Sequence, residues 1–276
     1  MSRLESPHYE AVFCVTLVFL LSVRATSVVV RHDVPDERYH AEIARFPELA
    51  LLPGEGHGVL ISSRWVVTAA HAAVWRPIHD VVLNGTPRRV SKVVIHPGYR
   101  AIPRELESGN AAALMEVMAS RDDIALIELA LPANDVKPAA IYRGSDELAK
   151  IAEIVGRGAT GNGLVGQFPH SPHAGELRRA YSRIISADER WLGMRFEAPP
   201  GALPLEGMPA DGDSGAPIFI QTEHGRELAG LVSRKFATGN LAEFRCCHYG
   251  QITFQVRLSR YAAWIDSTIR TMGIPS

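Results

Sequence analysis

The sequence predicts an all-β fold that ends in one α-helix. Between Gly58 and Leu131, short runs of β-forming residues alternate with turn residues, as in antiparallel sheets. The pair Asn84-Gly85 separates two of these runs and predicts a tight β-hairpin. Near the C-terminus, apolar residues recur at helical spacing, which predicts an amphipathic helix that Ser259 can cap.

The composition is that of a globular protein. The chain has 276 residues, of which 46% are hydrophobic and 21% are charged, and this is enough for one large domain or two small ones. Its formal net charge of −1 favours neither nucleic acid nor an anionic membrane surface as a partner.

Residues 1–27 differ from the rest of the chain and predict a signal peptide. Residues 11–23 form an apolar run about as long as a signal-peptide core and short for a membrane span. Small residues at Ala25 and Ser27 suit cleavage before Val28, and a second cleavage position lies two residues upstream. We therefore expect a secreted or periplasmic protein with no stable membrane association. An uncleaved membrane anchor is the alternative.

Three short motifs carry the candidate chemistry. Ser214 lies in Gly-Asp-Ser-Gly-Ala-Pro just before an apolar run, so its hydroxyl is expected on a rigid turn that feeds a buried strand. A serine hydroxyl needs a base to become a nucleophile, and the base needs a third group to orient it. His71 ends Thr-Ala-Ala-His and Asp123 begins Asp-Ile-Ala-Leu, which gives the order His, Asp, Ser at separations of 52 and 91 residues.

In order and sequence, these motifs resemble those of the trypsin/chymotrypsin-like serine proteases. The resemblance implies two six-stranded antiparallel β-barrels and a C-terminal helix. Residues 28–136 would form the barrel with the His and Asp motifs, and residues 137–276 would form the barrel with the Ser motif and the helix. The order of the motifs argues against α/β-hydrolases, which run Ser, acid, His, and against subtilisin-like enzymes, which run Asp, His, Ser.

The resemblance also implies a role for each site residue. Ser214 would be the nucleophile, His71 the general base and Asp123 the group that orients the imidazole. The amides of Gly212 and Ser214 would form the oxyanion hole. The expected protein is a monomeric serine endopeptidase that acts on proteins or peptides and needs no metal or organic cofactor.

The primary substrate pocket is expected to involve Met208, Ser233 and Lys235. Trypsin-type members of the family place an aspartate at the position of Met208 to pair with lysine or arginine side chains. Methionine carries no charge, so we expect an apolar or otherwise non-basic preference. The alternative function is a catalytically silent, secreted binding protein on the same fold.

Asp213 has two interpretations. The resemblance implies that a freed N-terminal ammonium, here at Val28, pairs with Asp213 and orders the oxyanion loop. In the alternative, residues 28–34 are an ordinary first strand and Asp213 pairs with an internal donor.

Asp122 competes with Asp123 as the orienting acid. Neighbouring side chains on a strand point to opposite faces, so only one of the two can reach His71. The resemblance favours Asp123, and Asp122 is expected to be solvated. Just upstream, residues 111–119 are rich in alanine and methionine and predict one to two helical turns in a surface insertion.

The chain has three cysteines, one of which, Cys14, falls in the predicted signal peptide. Cys246 and Cys247 are adjacent and cannot join distant strands. Three states are open for them: free thiols, a vicinal bond, or pairing between chains. So few cysteines are typical of bacterial secreted members of the family.

Two histidines, His170 and His173, lie three residues apart in a polar segment and could be mistaken for metal ligands. Neither has a cysteine or carboxylate partner at ligand spacing. We expect both to be surface residues.

Overall fold

The computed structural model describes residues 28–169, 171 and 175–272. The predicted signal peptide and the two histidines His170 and His173 lie outside the described residues. The predictions made for them therefore stay predictions.

Within the described residues, the chain consists mainly of β-strands joined by turns and short helices. The strands are β1 (Val28–Val30), β2 (Leu49–Leu51), β3 (His57–Ser62), β4 (Trp65–Thr68), β5 (Asp80–Leu83), β6 (Thr86–Ile95), β7 (Ala125–Leu129), β8 (Ile151–Gly156), β9 (Thr160–Asn162), β10 (Gly166–Gln167), β11 (Arg178–Ala187), β12 (Trp191–Arg195), β13 (Gly207–Met208), β14 (Pro217–Thr222), β15 (Gly225–Lys235) and β16 (Ile252–Arg257). The α-helices are α1 (Ala70–Val74), α2 (Ala111–Ser120) and α3 (Ala262–Met272), and the 3-10 helices are Asp36–Tyr39, Ile43–Arg45, Arg104–Leu106 and Leu258–Tyr261.

The first barrel is closed by six antiparallel strands in the order β2-β3-β4-β7-β6-β5. The connection from β5 to β6 has only two residues, Asn84 and Gly85, with φ of 47° and 74°. Positive φ at both central residues is what a type I′ turn requires, so the predicted hairpin is confirmed. Alternate residues of the strands face inward and fill the barrel, among them Leu60, Val66 and Ile127.

The second barrel is closed in the order β11-β12-β16-β15-β14-β8. Its interior is filled by aliphatic side chains such as Ile154, Ile184 and Ile218. The last strand of the first barrel ends at Leu129 and the first strand of the second barrel begins at Ile151. The domain boundary predicted after residue 136 stays a prediction. Two closed six-stranded barrels followed by a C-terminal helix are the predicted fold, which is confirmed.

One apolar cluster joins both barrels to the C-terminal helix. It contains Trp65 of the first barrel, Phe219 of the second and Ile265 of α3. On the same helix, Trp264 packs edge-on against His96 at the end of β6, with ring centroids 4.8 Å apart. The helix therefore contacts both barrels and helps to hold them in one orientation.

Ser259 does not cap α3 as expected. It lies inside the 3-10 helix that precedes α3, and its hydroxyl donates to Glu147 at 2.7 Å. The Glu147 carboxylate is buried and also accepts two hydrogen bonds from Arg257, at 2.9 and 2.7 Å. The hydroxyl thus helps to satisfy a buried charge, which is more costly to leave unpaired than a helix end near solvent.

Asp122 is held between the two barrels, and the expectation that it is solvated is wrong. Its side chain is only 18% exposed. One oxygen accepts hydrogen bonds from Arg190, at 2.9 Å, and from the Tyr261 hydroxyl, at 2.8 Å, and the other lies 3.4 Å from the His96 ring. Asp122 and Asp123 lie just before β7, and only Asp123 contacts His71, as expected; Asp122 instead contacts residues of the second barrel and of the 3-10 helix before α3.

We expect Asp122→Asn to lower the free energy of unfolding by about 2 kcal/mol, because hydrogen bonds to charged groups contribute about 1.5–3 kcal/mol each. The urea midpoint measures this change. The matched control is Asp135→Asn, which alters an exposed ion pair with Arg88 and should cost less than about 0.5 kcal/mol. Equal midpoints for the two variants would contradict a role for Asp122 in joining the barrels.

Helix α2 has ten residues, close to three turns, and is longer than predicted. Its first turn is capped by Asn110, whose side chain accepts a hydrogen bond from the main chain two residues later at 2.8 Å. Met115 of the helix packs with Leu241 and Phe244 of the loop after β15. This contact fastens the insertion to the second barrel and brings Met118 towards the cleft between the barrels.

Candidate active site

His71 is the second residue of α1, which follows immediately after β4. The two alanines before it are fully buried, so the backbone packs tightly against the barrel. Its main-chain N–H donates to Asp123 Oδ1 at 2.9 Å, and its ring Nδ1 lies 2.7 Å from Asp123 Oδ2. A carboxylate only accepts, so the ring carries its proton on Nδ1 and presents Nε2 as an acceptor.

Asp123 is fully buried two residues before β7 begins. Besides the His71 ring, Oδ2 accepts a hydrogen bond from the Ser233 hydroxyl at 2.5 Å and lies 3.9 Å from a guanidinium nitrogen of Arg121. Burial by itself raises the pKa of Asp123, but the interactions with His71, Arg121 and Ser233 outweigh burial and lower the pKa below its usual value. The carboxylate therefore stays ionised beside the imidazole and can stabilise its cation.

Ser214 Oγ lies 2.7 Å from His71 Nε2, within reach for proton transfer. The serine is held on a turn between β13 and β14, in which Gly212 and Gly215 have φ of 87° and 74°, values that favour glycine. A Cβ on Gly215 would lie 2.2 Å from the carbonyl oxygen of His57, so even alanine would force the backbone apart. The nucleophile loop is thus fixed by its own backbone.

The loop also sets the direction of the Gly212 amide. The carbonyl of Asp211 accepts a hydrogen bond from the Ala159 amide at 2.6 Å. Because C=O and N–H point in opposite directions across a trans peptide, the Gly212 N–H is turned away from Ala159. Gly212 and Ser214 both line a cavity of about 410 Å³, where their amides could bind an oxyanion.

Asp213 is fully buried beneath this loop. Its two oxygens accept hydrogen bonds from the amides of Gly158, at 2.7 Å, and Ala210, at 2.9 Å. Burial raises the pKa of Asp213 to about 6. Strand β1 runs parallel to β9 with Val28 opposite Thr160, so the N-terminal end of β1 lies beside the segment that binds Asp213.

A second cavity, of about 490 Å³, adjoins the first at Ser214 and Ser233. Its lining on the side of the first barrel mixes the rings of His71, Trp75 and Tyr99 with small and aliphatic side chains and the carboxylates of Glu55 and Glu107. The two cavities together form a cleft that crosses the candidate nucleophile.

Two of the three predicted pocket residues, Ser233 and Lys235, line the first cavity. Met208 lies behind it: the side chain is 3% exposed and packs with Val29, while the next residue, Pro209, reaches the cavity. The Lys235 ammonium forms an ion pair with the carboxylate of Asp211. These two opposite charges on the cavity wall therefore offset each other.

Sequence reasoning missed several residues of the site. His57 is buried under the nucleophile loop, where its main-chain N–H donates to the Ser214 carbonyl at 2.7 Å and its ring accepts the Arg157 amide at 3.2 Å. Burial, reinforced by the charge of Arg157, lowers the pKa of His57 to about 3, so the ring is neutral. Arg234 lies between the rings of Trp191 and Phe254 and also lines the first cavity.

Met118 was also missed, although it lines both cavities. The alanine- and methionine-rich composition of α2 signalled a helix, but no pattern in the sequence shows that this helix lies over the cleft. Likewise, nothing in the sequence distinguishes the buried Arg121 from a solvated arginine.

Two six-stranded barrels with the His, Asp and Ser motifs meeting between them define the chymotrypsin-like class of folds. The family model described as trypsin matches residues 39–265, and the chain belongs to the trypsin family of serine proteases. Members of this family act on peptide substrates.

Three relatives are similar over most of their length. Scolexin B of Heliothis virescens is 24% identical over 232 residues, which are 80% of this chain and 77% of the relative. Kallikrein-14 of Homo sapiens is 25% identical over 234 residues, 77% of this chain and 73% of the relative. Serine protease SP24D of Anopheles gambiae is 25% identical over 253 residues, 83% of this chain and 79% of the relative. In the described part of the chain, every helix is too short or too polar to cross a membrane.

Proposed function

We propose that the protein is a serine endopeptidase with Ser214, His71 and Asp123 as its catalytic residues. One observation carries this proposal: an unbroken hydrogen-bonded line from Asp123 through His71 to Ser214, with 2.7 Å at each of the two side-chain contacts. A chain that had lost catalysis would have no reason to keep three such distant residues in register.

The geometry supports acyl transfer. Ser214 Oγ would attack the carbonyl carbon of a peptide bond while His71 Nε2 takes the hydroxyl proton. The amides of Gly212 and Ser214 would bind the oxyanion that forms. The protonated His71 then gives its proton to the leaving amine, and water repeats the sequence to release the acyl group from Ser214.

A fluorophosphonate probe tests the proposal directly. We expect it to label Ser214 in the mature, folded protein, with the modified peptide identified by mass spectrometry, and to fail on protein unfolded in urea because an isolated serine is a poor nucleophile. Mature protein that resists the probe and hydrolyses no peptide would favour the binding-protein alternative.

We further propose that the primary specificity is apolar or otherwise non-basic. The buried residues Pro209, Ala210 and Val232 line the cavity beside Ser214 and offer no carboxylate to a basic side chain. Two acidic side chains, Glu55 and Asp211, also line this cavity, and both already interact with other groups of the protein, Asp211 in an ion pair with Lys235.

We expect kcat/KM to be at least about tenfold higher for peptides with leucine than with arginine before the cleaved bond, a difference of about 1.4 kcal/mol. Lys235→Ala should shift this ratio towards arginine, because it releases Asp211 to pair with the substrate. Lys92→Ala, at an exposed position on β6, is the control. A wild-type preference for arginine would refute the proposed specificity.

We also propose that residues 1–27 are a signal peptide, that the protein is secreted or periplasmic, and that cleavage before Val28 supplies an ammonium group for Asp213. Three observations support the contact between an ammonium group at Val28 and Asp213. Val28 is fully buried, and β1 starts beside the segment that binds Asp213. Val28 also has φ of 62°, which a β-branched residue rarely adopts. Cutting the preceding peptide bond removes that constraint.

N-terminal sequencing of the mature protein is expected to begin within residues 28–30. Asp213→Asn should then lower kcat/KM by about 10-fold to 100-fold, because the loop that carries the oxyanion donors loses its ionic anchor. A mature start well away from Val28, with full activity, would support the alternative in which Asp213 needs only its two internal amide donors.

A further inference from the structure

Cys246 and Cys247 lie next to the first cavity of the site. Their sulfur atoms are 2.7 Å apart, and the sulfur of Cys247 lies 3.8 Å from the carbonyl of Pro209, which lines the cavity. Cys247 has φ of 75°, a left-handed conformation that residues other than glycine rarely adopt. The local backbone thus holds two thiols against each other.

The two thiols have different surroundings. Cys246 is half-buried and Cys247 is fully buried. A hydrogen bond from the Cys247 thiol, together with the nearby Lys235 ammonium, outweighs burial and lowers the pKa of Cys246. The same hydrogen bond and burial raise the pKa of Cys247. The sulfur that ionises more readily is therefore the one that a reagent can reach.

We propose that Cys246 and Cys247 form a thiol–disulfide exchange site that takes a low-molecular-weight aliphatic disulfide and closes into a vicinal disulfide. The thiolate of Cys246 attacks one sulfur of the reagent, breaks its S–S bond and expels one thiolate. Cys247 then attacks the Cys246 sulfur of this mixed disulfide and expels the second thiolate. Two protein thiols are oxidised, one disulfide is reduced to two thiols, and the two thiol protons end on the two leaving groups.

The geometry favours closure and also reversal. A disulfide bond is about 2.0 Å long, so the sulfurs need to approach by only about 0.7 Å. The peptide bond between the cysteines is trans, which fixes their Cα atoms about 3.8 Å apart. Ordinary disulfides join Cα atoms at least about 4.4 Å apart, so the vicinal ring is strained and easily reduced.

The experiment uses the full chain carrying Cys14→Ser, so that the only thiols are the two in question. The folded protein is treated with oxidised glutathione and its intact mass is measured. We expect a loss of two hydrogen atoms with no bound glutathione, and restoration of both thiols by a small excess of reduced glutathione. The readout is a mass, so the result does not depend on whether the protein has peptidase activity.

Single variants separate the two sulfurs. Cys247→Ser should accumulate one mixed disulfide with glutathione. Cys246→Ser should react at least about tenfold more slowly, because the remaining thiol of Cys247 is fully buried and a reagent reaches it less easily. Pulsed alkylation of the unsubstituted pair, with peptide mapping, keeps the test valid where a variant fails to fold: Cys246 should be labelled first.

Three results would overturn the proposal. They are a stable glutathione adduct on the protein with both cysteines, a disulfide-linked dimer on a non-reducing gel, and faster alkylation of Cys247 than of Cys246.

Discussion

Ser214→Ala is expected to lower kcat for peptide hydrolysis about a millionfold, the largest effect of any single substitution in the chain. In the proposed mechanism, Ser214 Oγ is the atom that attacks the substrate, and it lies 2.7 Å from His71 Nε2, which accepts its proton. Alanine leaves the turn and its amides unchanged, because the strained positions on either side are glycines. The variant should therefore fold and bind substrate while losing the acyl-enzyme step.

The measurement is single-turnover hydrolysis of a chromogenic ester or peptide by mature protein. The matched control is Ser91→Ala on an exposed position of β6, which removes one hydroxyl far from the cleft and should leave kcat nearly unchanged. KM for Ser214→Ala should stay within a few fold of wild type. A loss of only tenfold would mean that another group is the nucleophile.

The fold was predictable because its signals are local. The Asn84-Gly85 hairpin follows from two residues that tolerate positive φ, and the strands follow from short β-forming runs between turns. The packing of α3 on both barrels was not predictable, since periodicity identifies the buried face of a helix but not its partner. The same limit explains Asp122, because the residues that surround it lie far away in sequence, on the second barrel and before α3.

The residues of the candidate site that belong to sequence motifs were predictable. The residues that reach the site only through packing of the folded chain were not. His71, Asp123 and Ser214 meet as the motifs implied. The groups that set their environment carry no motif: Arg121 is a buried cation in the structure and an ordinary arginine in the sequence. His57 likewise becomes a support of the nucleophile loop only once the barrels are assembled.

The second large effect concerns the orienting acid. Asp123 accepts from the main chain and the ring of His71, and from Ser233, with Arg121 close by. In Asp123→Asn, one of these acceptor positions becomes an NH₂ donor. If that donor faces His71 Nδ1, the ring must carry its proton on Nε2, where it can no longer accept the proton of Ser214. We expect kcat to fall about 10⁴-fold, the loss that the wrong tautomer causes in enzymes with this triad.

The neighbouring residue provides the discriminating comparison. Asp122→Asn is equally conservative and adjacent in sequence, but its side chain binds Arg190 and Tyr261 rather than His71. It should therefore lower stability and leave kcat nearly unchanged. Asp123→Asn should mainly lower kcat and leave KM almost constant. Steady-state kinetics and urea midpoints, measured on both variants, separate the two effects. If Asp122→Asn reduced kcat as much as Asp123→Asn, the carboxylate bound to His71 would not be the group that orients it during catalysis.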